Sequence, residues 1–281
     1  MIFFWLACRF NPSEPITEQG SVSSVVTIPA GTYQIGPSKE LNVPHTLQRA
    51  VTLTYDFVIQ STEVTYKQWL AVTPNLPNQY CESGIQPHHM SPTHPVRCVS
   101  WCDVIVFSNQ KSISDGYESA YIINEAFISN IDTIYCNEQA QFVQLNQTAN
   151  GWRLPTEAEW EIAAAIDLEQ NDERAWYKGN SNGHPHPVAQ FDPNKWGLYD
   201  TQGNVFEWIW ERFGDYEMRT VTDPFHFEVP LIEVYTRPIK GGSYLSPKDA
   251  LAPYNRPNAS PSMMHPAIGF RLVRTKVSND N

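Results

Sequence analysis

Residues 196–210, WGLYDTQGNVFEWIW, constrain this chain more than any other stretch, because a turn rich in Asp, Asn and Gly runs straight into an aromatic strand. Five aromatic side chains, Trp196, Tyr199, Phe206, Trp208 and Trp210, flank two carboxylates, Asp200 and Glu207, with Gly203 and Asn204 between them. Rings of this size are where a core anchors. Carboxylates on either side of a Gly-Asn turn can converge on a hard cation, since glycine admits positive φ and turns backbone carbonyls toward one point. An ordinary surface turn capped by Asp200 is the other reading of the same spacing.

Local patterns place the remaining elements. Residues 25–36 read as two short strands around a Pro-Ala-Gly turn and start the folded domain, and 51–59 alternates as a further strand. Thr65 caps a helix whose Tyr66, Trp69 and Leu70 share one face. Ser100 and Asp103 form a capping-box pattern ahead of a second helix, with Trp101, Val104, Ile105 and Ser108 on one side and a stop at Asp115-Gly116. Between Tyr117 and Asn150 the sequence offers candidate strands only at 120–123 and 133–136. Pro155 precedes Thr156, and Glu159 can close a third box, which predicts a helix over 157–166 with Arg153 paired to Glu157. A strand with a glycine bulge over 240–246 and a closing strand over 268–274 complete the reading. His88, His89 and His94, in a loop over 75–95, read as solvated histidines and not as metal ligands.

With 22 Pro, 14 Gly, 9 Trp and 13 Tyr in 281 residues, the chain should be rich in loops and pinned by aromatic packing. No linker divides it, so one α+β domain is expected. Nineteen basic against thirty acidic residues leave a net charge of −11, which argues against nucleic acid or anionic lipid as partner, since both need concentrated Lys and Arg.

Residues 1–8, MIFFWLAC, look like the end of a truncated export signal, and Leu6-Ala7-Cys8 like a lipoprotein processing site in which Cys8 would carry the anchor. Residues 9–24 would then be a polar tether, 25–276 the domain and 277–281 a tail. The other four cysteines, Cys81, Cys98, Cys102 and Cys136, fall in one 56-residue window, which fits an exported, oxidised protein. Three pairings exist for four cysteines. Cys81–Cys98 with Cys102–Cys136 is preferred, because Cys98 precedes a helix start and Cys102 sits inside it; four buried thiols are the alternative.

Four blocks, GWRLPTEAEW at 151–160, the stretch at 196–210, Gly-Gly-Ser-Tyr at 241–244 and Gly-Phe-Arg at 269–271, resemble in kind and order the signature of the sulfatase-modifying-factor family, typified by the formylglycine-generating enzyme. The resemblance runs over nearly the whole chain. It implies a C-type-lectin-like fold in a single loop-rich domain with little regular secondary structure. It also implies one structural calcium ion, held by the side chains of Asp200 and Glu207 and the carbonyls of Gly203 and Val205. The compact loop at 179–187 stands where larger relatives carry an insertion with another calcium site, so only one site is carried over.

The chemistry of those enzymes rests on two cysteines that bind copper. Their positions fall at Ser246 and near Leu251 here, and no cysteine follows Cys136. A serine hydroxyl is a poor Cu(I) ligand and cannot run a thiol redox cycle. Copper is therefore not expected as a cofactor. Ala267 stands where an Asn commonly precedes the closing Gly-Phe-Arg. The expectation is a noncatalytic, exported or envelope-tethered protein that binds a peptide, glycan or envelope partner. Its lectin-like face would lie over 243–266, with Phe206, Ser243, Tyr244, Ser246, Arg256 and Arg271 as contact candidates. The second hypothesis is an extracytoplasmic maturation enzyme with altered chemistry, for which His184, His186, His226 and His265 are the available acid–base groups; a His and a carboxylate beside Ser246 would favour it.

Overall fold

The computed structural model describes residues 25–37, 48–74, 77, 81, 91–123, 136, 140, 142–165, 174–214, 220–225 and 236–276. The expected signal, Cys8, the tether and the tail lie outside the described residues, as do His88, His89, His226 and positions 133–135 of one expected strand.

Strands β1 (Val25–Ile28) and β2 (Gly31–Ile35) leave the Pro-Ala-Gly turn for different sheets. The expected strand over 51–59 is two strands, β3 (Arg49–Leu53) and β4 (Phe57–Gln60), because a turn at Thr54–Asp56 interrupts it. Strand β1 pairs antiparallel with β4, and β2 with β3. Helix α1 (Tyr66–Val72) starts at Thr65, whose hydroxyl accepts from Gln68 N while the Gln68 side chain accepts from Thr65 N. Helix α2 (Trp101–Ser114) starts with the same reciprocal box between Ser100 and Asp103. Strand β5 (Tyr121–Ile122) pairs with β6 (Gln144–Leu145), a partner the sequence did not announce. Helix α3 (Glu157–Ala164) has the Thr156–Glu159 box, so each of these three described helices is begun by local side-chain chemistry.

The C-terminal half builds a four-stranded sheet from β7 (Phe206–Trp208), β9 (Arg237–Lys240), β10 (Asn258–Ala259) and β11 (Ile268–Gly269), in the order β10-β9-β7-β11. The short β8 (Val221–Thr222) joins β3 in parallel, and β12 (Val273–Thr275) closes on β4. The expected closing strand is thus divided between two sheets, and the expected 240–246 strand ends at Lys240, where Gly241 and Gly242 turn with φ of 88° and 77°. Neither expected disulfide needs revision: Cys81 is bonded to Cys98 and Cys102 to Cys136.

Aromatic rings fill the space between helices and sheet. Trp69 stacks on Phe107 at 4.7 Å between centroids, and Phe270 meets both rings edge-on. Trp101 stacks on Trp210, which stacks in turn on Tyr121. Such pairs add about 0.5–1.5 kcal/mol each beyond burial, which compensates for strands of two to five residues. The result is an α+β, loop-rich single domain.

Candidate functional site

The turn ahead of β7 is wound tightly: Asp200, Gly203 and Asn204 all have positive φ, at 54°, 82° and 51°. Gly203 is obligatory here, since a Cβ would overlap the backbone of Trp176. Asp200 Oδ2 accepts from Ala189 N at 2.7 Å. Glu207 is gripped from two sides, with Arg271 Nε and Trp160 Nε1 donating to its Oε2 and Arg271 Nη2 to its Oε1, each at 2.7 Å. A third carboxylate, Glu63, accepts from Val205 N and Asn204 Nδ2, both at 3.4 Å. Burial, and then the charges of Asp200 and Glu207, push Glu63 well above the usual carboxylate range. Burial also lifts Asp200 to about 6.

Three buried carboxylates therefore surround one guanidinium, and the excess negative charge calls for a cation or a proton. In charge and in oxygen donor type the set suits calcium. Glu207 already accepts three hydrogen bonds, so it has room to serve a cation through one oxygen only. Among the described residues no group of three or more His, Cys, Asp or Glu is disposed to hold a metal, so such a site would depend on the carbonyls of Gly203 and Val205. Glu63 was missed from sequence because nothing near it signals a partner more than a hundred residues away.

A cavity of about 690 Å³ opens beside this turn, lined among others by Phe206, Ser243, Ser246, Asp249, Arg256 and His265. Of the six contact candidates, Phe206, Ser243, Ser246 and Arg256 are in its wall, and Tyr244 and Arg271 are not. Arg271 is fully buried, spent on Glu207 and on the carbonyls of Gln60, Ser61 and Tyr199. Tyr244 is held inside by its main chain, its N bonded to Asn204 O and its O to Ser181 Oγ. Ser246 Oγ accepts from Ser243 N at 3.0 Å and lies 3.2 Å from Ser243 Oγ. Leu251 is buried behind Gly242, where a Cβ would strike its side chain.

His265 Nδ1 accepts from Ala267 N at 3.1 Å, which in the neutral ring leaves the proton on Nε2, and burial lowers its pKa. His184 and His186 lie elsewhere, in a small stack on Trp176, with His186 Nε2 3.0 Å from Ser181 O. Arg256 is tied by Nε to Glu157 Oε1 at 2.5 Å and by Nη1 to Gly214 O at 3.0 Å. Glu157 also accepts from the buried Lys240, which reaches Glu161 at 2.7 Å. Burial would raise Glu157, but Lys240 and Arg256 bring it below its ordinary value. The expected Arg153–Glu157 pair is not formed: Arg153 bonds both oxygens of Glu159, at 2.7 and 2.6 Å.

Residues 11–276 match the model of the sulfatase-modifying factor enzyme 1-like domain. Among curated relatives, the chaperone protein LppX of Paenibacillus barcinonensis is 32% identical over 254 residues, covering 80% of this chain and 82% of its own. The formylglycine-generating enzyme of Streptomyces coelicolor is 30% identical over 154 residues, which are 44% of this chain and 46% of that enzyme. Among solved structures, Treponema denticola variable protein 1 superposes with a TM-score of 0.76 at 28% identity, over 94% of this chain and 100% of that one. PvdO from Pseudomonas aeruginosa shares the fold, with a TM-score of 0.66 at 23% identity over 90% and 94% of the two chains. With a match over nearly its full length, and with the signature blocks brought together around Arg271 and the cavity, the chain belongs to the sulfatase-modifying factor enzyme 1-like family.

Proposed function

We propose that this protein is a noncatalytic, extracytoplasmic binding protein that holds a polypeptide segment in the cavity beside Ser243 and Ser246. The observation that carries this reading is the state of the two positions where reactive thiols would stand. Ser246 is turned into a hydrogen-bonded serine pair, and Leu251 is packed behind Gly242. The four described cysteines are all in disulfides. The cavity is kept while its redox ligands are replaced, which suits holding and not oxidising. Similarity to a relative named as a chaperone supports a polypeptide as the occupant. Disulfides persist in oxidising compartments, which supports export, with Cys8 as the expected anchor. No helix among the described residues is long and apolar enough to cross a membrane.

The same reading includes one structural calcium at Asp200, Gly203, Val205 and Glu207, supported by the unbalanced carboxylates around Arg271. Calcium there would stabilise the turn that carries Phe206 into the cavity wall.

The second reading, a maturation enzyme with altered chemistry, has one observation in its favour: His265 and Asp249 line the cavity with Ser246. The test for both is to titrate fluorescein-labelled unstructured peptides, including a Cys-x-Pro-x-Arg sequence, and to follow peptide mass in air with and without copper. Saturable binding that is lost in the cavity-filling Ala250→Trp, with peptide mass unchanged, is expected. Conversion of the peptide overturns the noncatalytic assignment; absence of any peptide binding overturns the cavity's role.

A further inference from the structure

We infer that the cavity selects a segment carrying a cationic side chain, a Lys or Arg that meets the Asp249 carboxylate and the Phe206 ring. This rests on the cavity being a polypeptide site. The inference comes from an account of the charges in its wall. Among the described residues two full charges line it, Asp249 and Arg256. Arg256 is compensated within the protein, by Glu157 at 2.5 Å, by Gly214 O and by the face of Phe213 at 5.0 Å. Asp249 is exposed and makes no ion pair among the described residues. It is displayed from a built turn: the 3-10 segment Lys248–Leu251 carries it, and Asn255 Nδ2 fixes its carbonyl at 3.0 Å. The described part of the wall therefore presents one uncompensated negative charge.

The other lining groups agree with a cation. Phe206 is half-buried in the wall, and an aromatic face attracts an ammonium or guanidinium by about 0.5–1 kcal/mol at exposed sites. Leu245 and Pro247 supply apolar surface for the methylene stem of a long basic side chain. His265 adds no opposing charge near neutrality, because its Nδ1 is occupied as an acceptor and burial favours the neutral ring; its Nε2 proton remains to donate to a peptide carbonyl. The net charge of −11 draws basic segments toward the whole molecule.

The test uses the intact protein and three peptides, acetyl-Ala-Leu-Xaa-Leu-Ala-amide with Lys, norleucine or Glu at Xaa, by calorimetric titration at low and high salt. Lysine is expected to bind about fivefold more tightly than norleucine at low salt, as for one partly exposed charge pair, and glutamate more weakly than either. High salt should shrink the difference. Asp249→Asn, at an exposed position, should cut the lysine preference over norleucine to about twofold, the share left to the Phe206 ring, without moving the melting temperature. Phe206→Leu should weaken the lysine peptide about twofold to threefold while sparing norleucine. Equal binding of all three peptides, or a lysine preference undiminished by Asp249→Asn, overturns the inference and leaves the polypeptide site standing. Failure of every peptide to bind removes the site itself. Choline binding as tightly as the lysine peptide would assign the cavity to small organic cations and overturn the peptide source.

Discussion

Arg271 and Glu207 form a two-pronged ion pair in the interior, with Nε on Oε2 and Nη2 on Oε1 at 2.7 Å each. The same guanidinium also reaches carbonyls of three other residues, so one side chain satisfies acceptors from three segments of the chain. Arg271→Ala should cost about 3–5 kcal/mol, because it leaves buried carboxylates uncompensated. Arg271→Lys should recover little, since an ammonium cannot reproduce the planar fork. Urea unfolding checks this, and a midpoint close to wild type in either variant would deny the pair its structural role.

The proposed calcium site has its own measurement. At a hundredfold excess over Kd, a ligand bound only by the folded state adds about 2.7 kcal/mol. Chelation should lower the melting temperature, and Asp200→Ala should remove that response. Identical melting of stripped protein with calcium and with chelator would discard the site.

Cys102–Cys136 closes a separation of 34 residues and Cys81–Cys98 one of 17. Loop-closure entropy assigns them about 3.8 and 3.1 kcal/mol respectively. Replacing each pair by alanines should therefore destabilise more at the longer loop, read from urea midpoints at unchanged slope. Nonreducing peptide maps of exported protein should show both bonds and no free thiol among the four.

Burial depresses the pKa of His265, so the folded protein disfavours its protonation more than the unfolded chain does. Its contribution is complete above the unfolded value of about 6.5 and is lost as pH falls from there through the folded pKa. Protonation at Nδ1 also breaks the bond from Ala267 N. Melts between neutral and mildly acidic pH should show a smaller decline in His265→Gln than in wild type. A His265 ring titration midpoint above 6.5 by NMR would reverse the sign and refute the argument.

Where structure is written by neighbours in sequence, it could be read. Thr65 with Gln68, Ser100 with Asp103 and Thr156 with Glu159 each begin a helix with groups three residues apart. The glycine turn before β7 was legible for the same reason. What could not be read depends on charges arriving from afar. Glu157 lost Arg153 because Lys240 and Arg256 reach it from 83 and 99 residues away, while Glu159 holds Arg153 with both oxygens. Arg271, expected on the binding face from the resemblance, is instead held inside by a partner 64 residues upstream that no local pattern announces. Asp249 did carry a signal, as the one carboxylate between the two expected thiol positions, but its display depends on a turn that no pattern announced.

The cavity wall is fastened largely through its main chain. Gly203 N holds Gly241 O, Tyr244 N holds Asn204 O, Lys178 N holds Ser246 O, Ile239 N holds Pro257 O and Phe206 N holds Ala267 O, at 2.8 to 3.0 Å. Amide and carbonyl groups are the same for nearly every residue type. The side chains facing the opening can therefore be exchanged without unfastening the frame. A lineage could rewrite what this surface presents to solvent, one substitution at a time, while inheriting the scaffold unaltered.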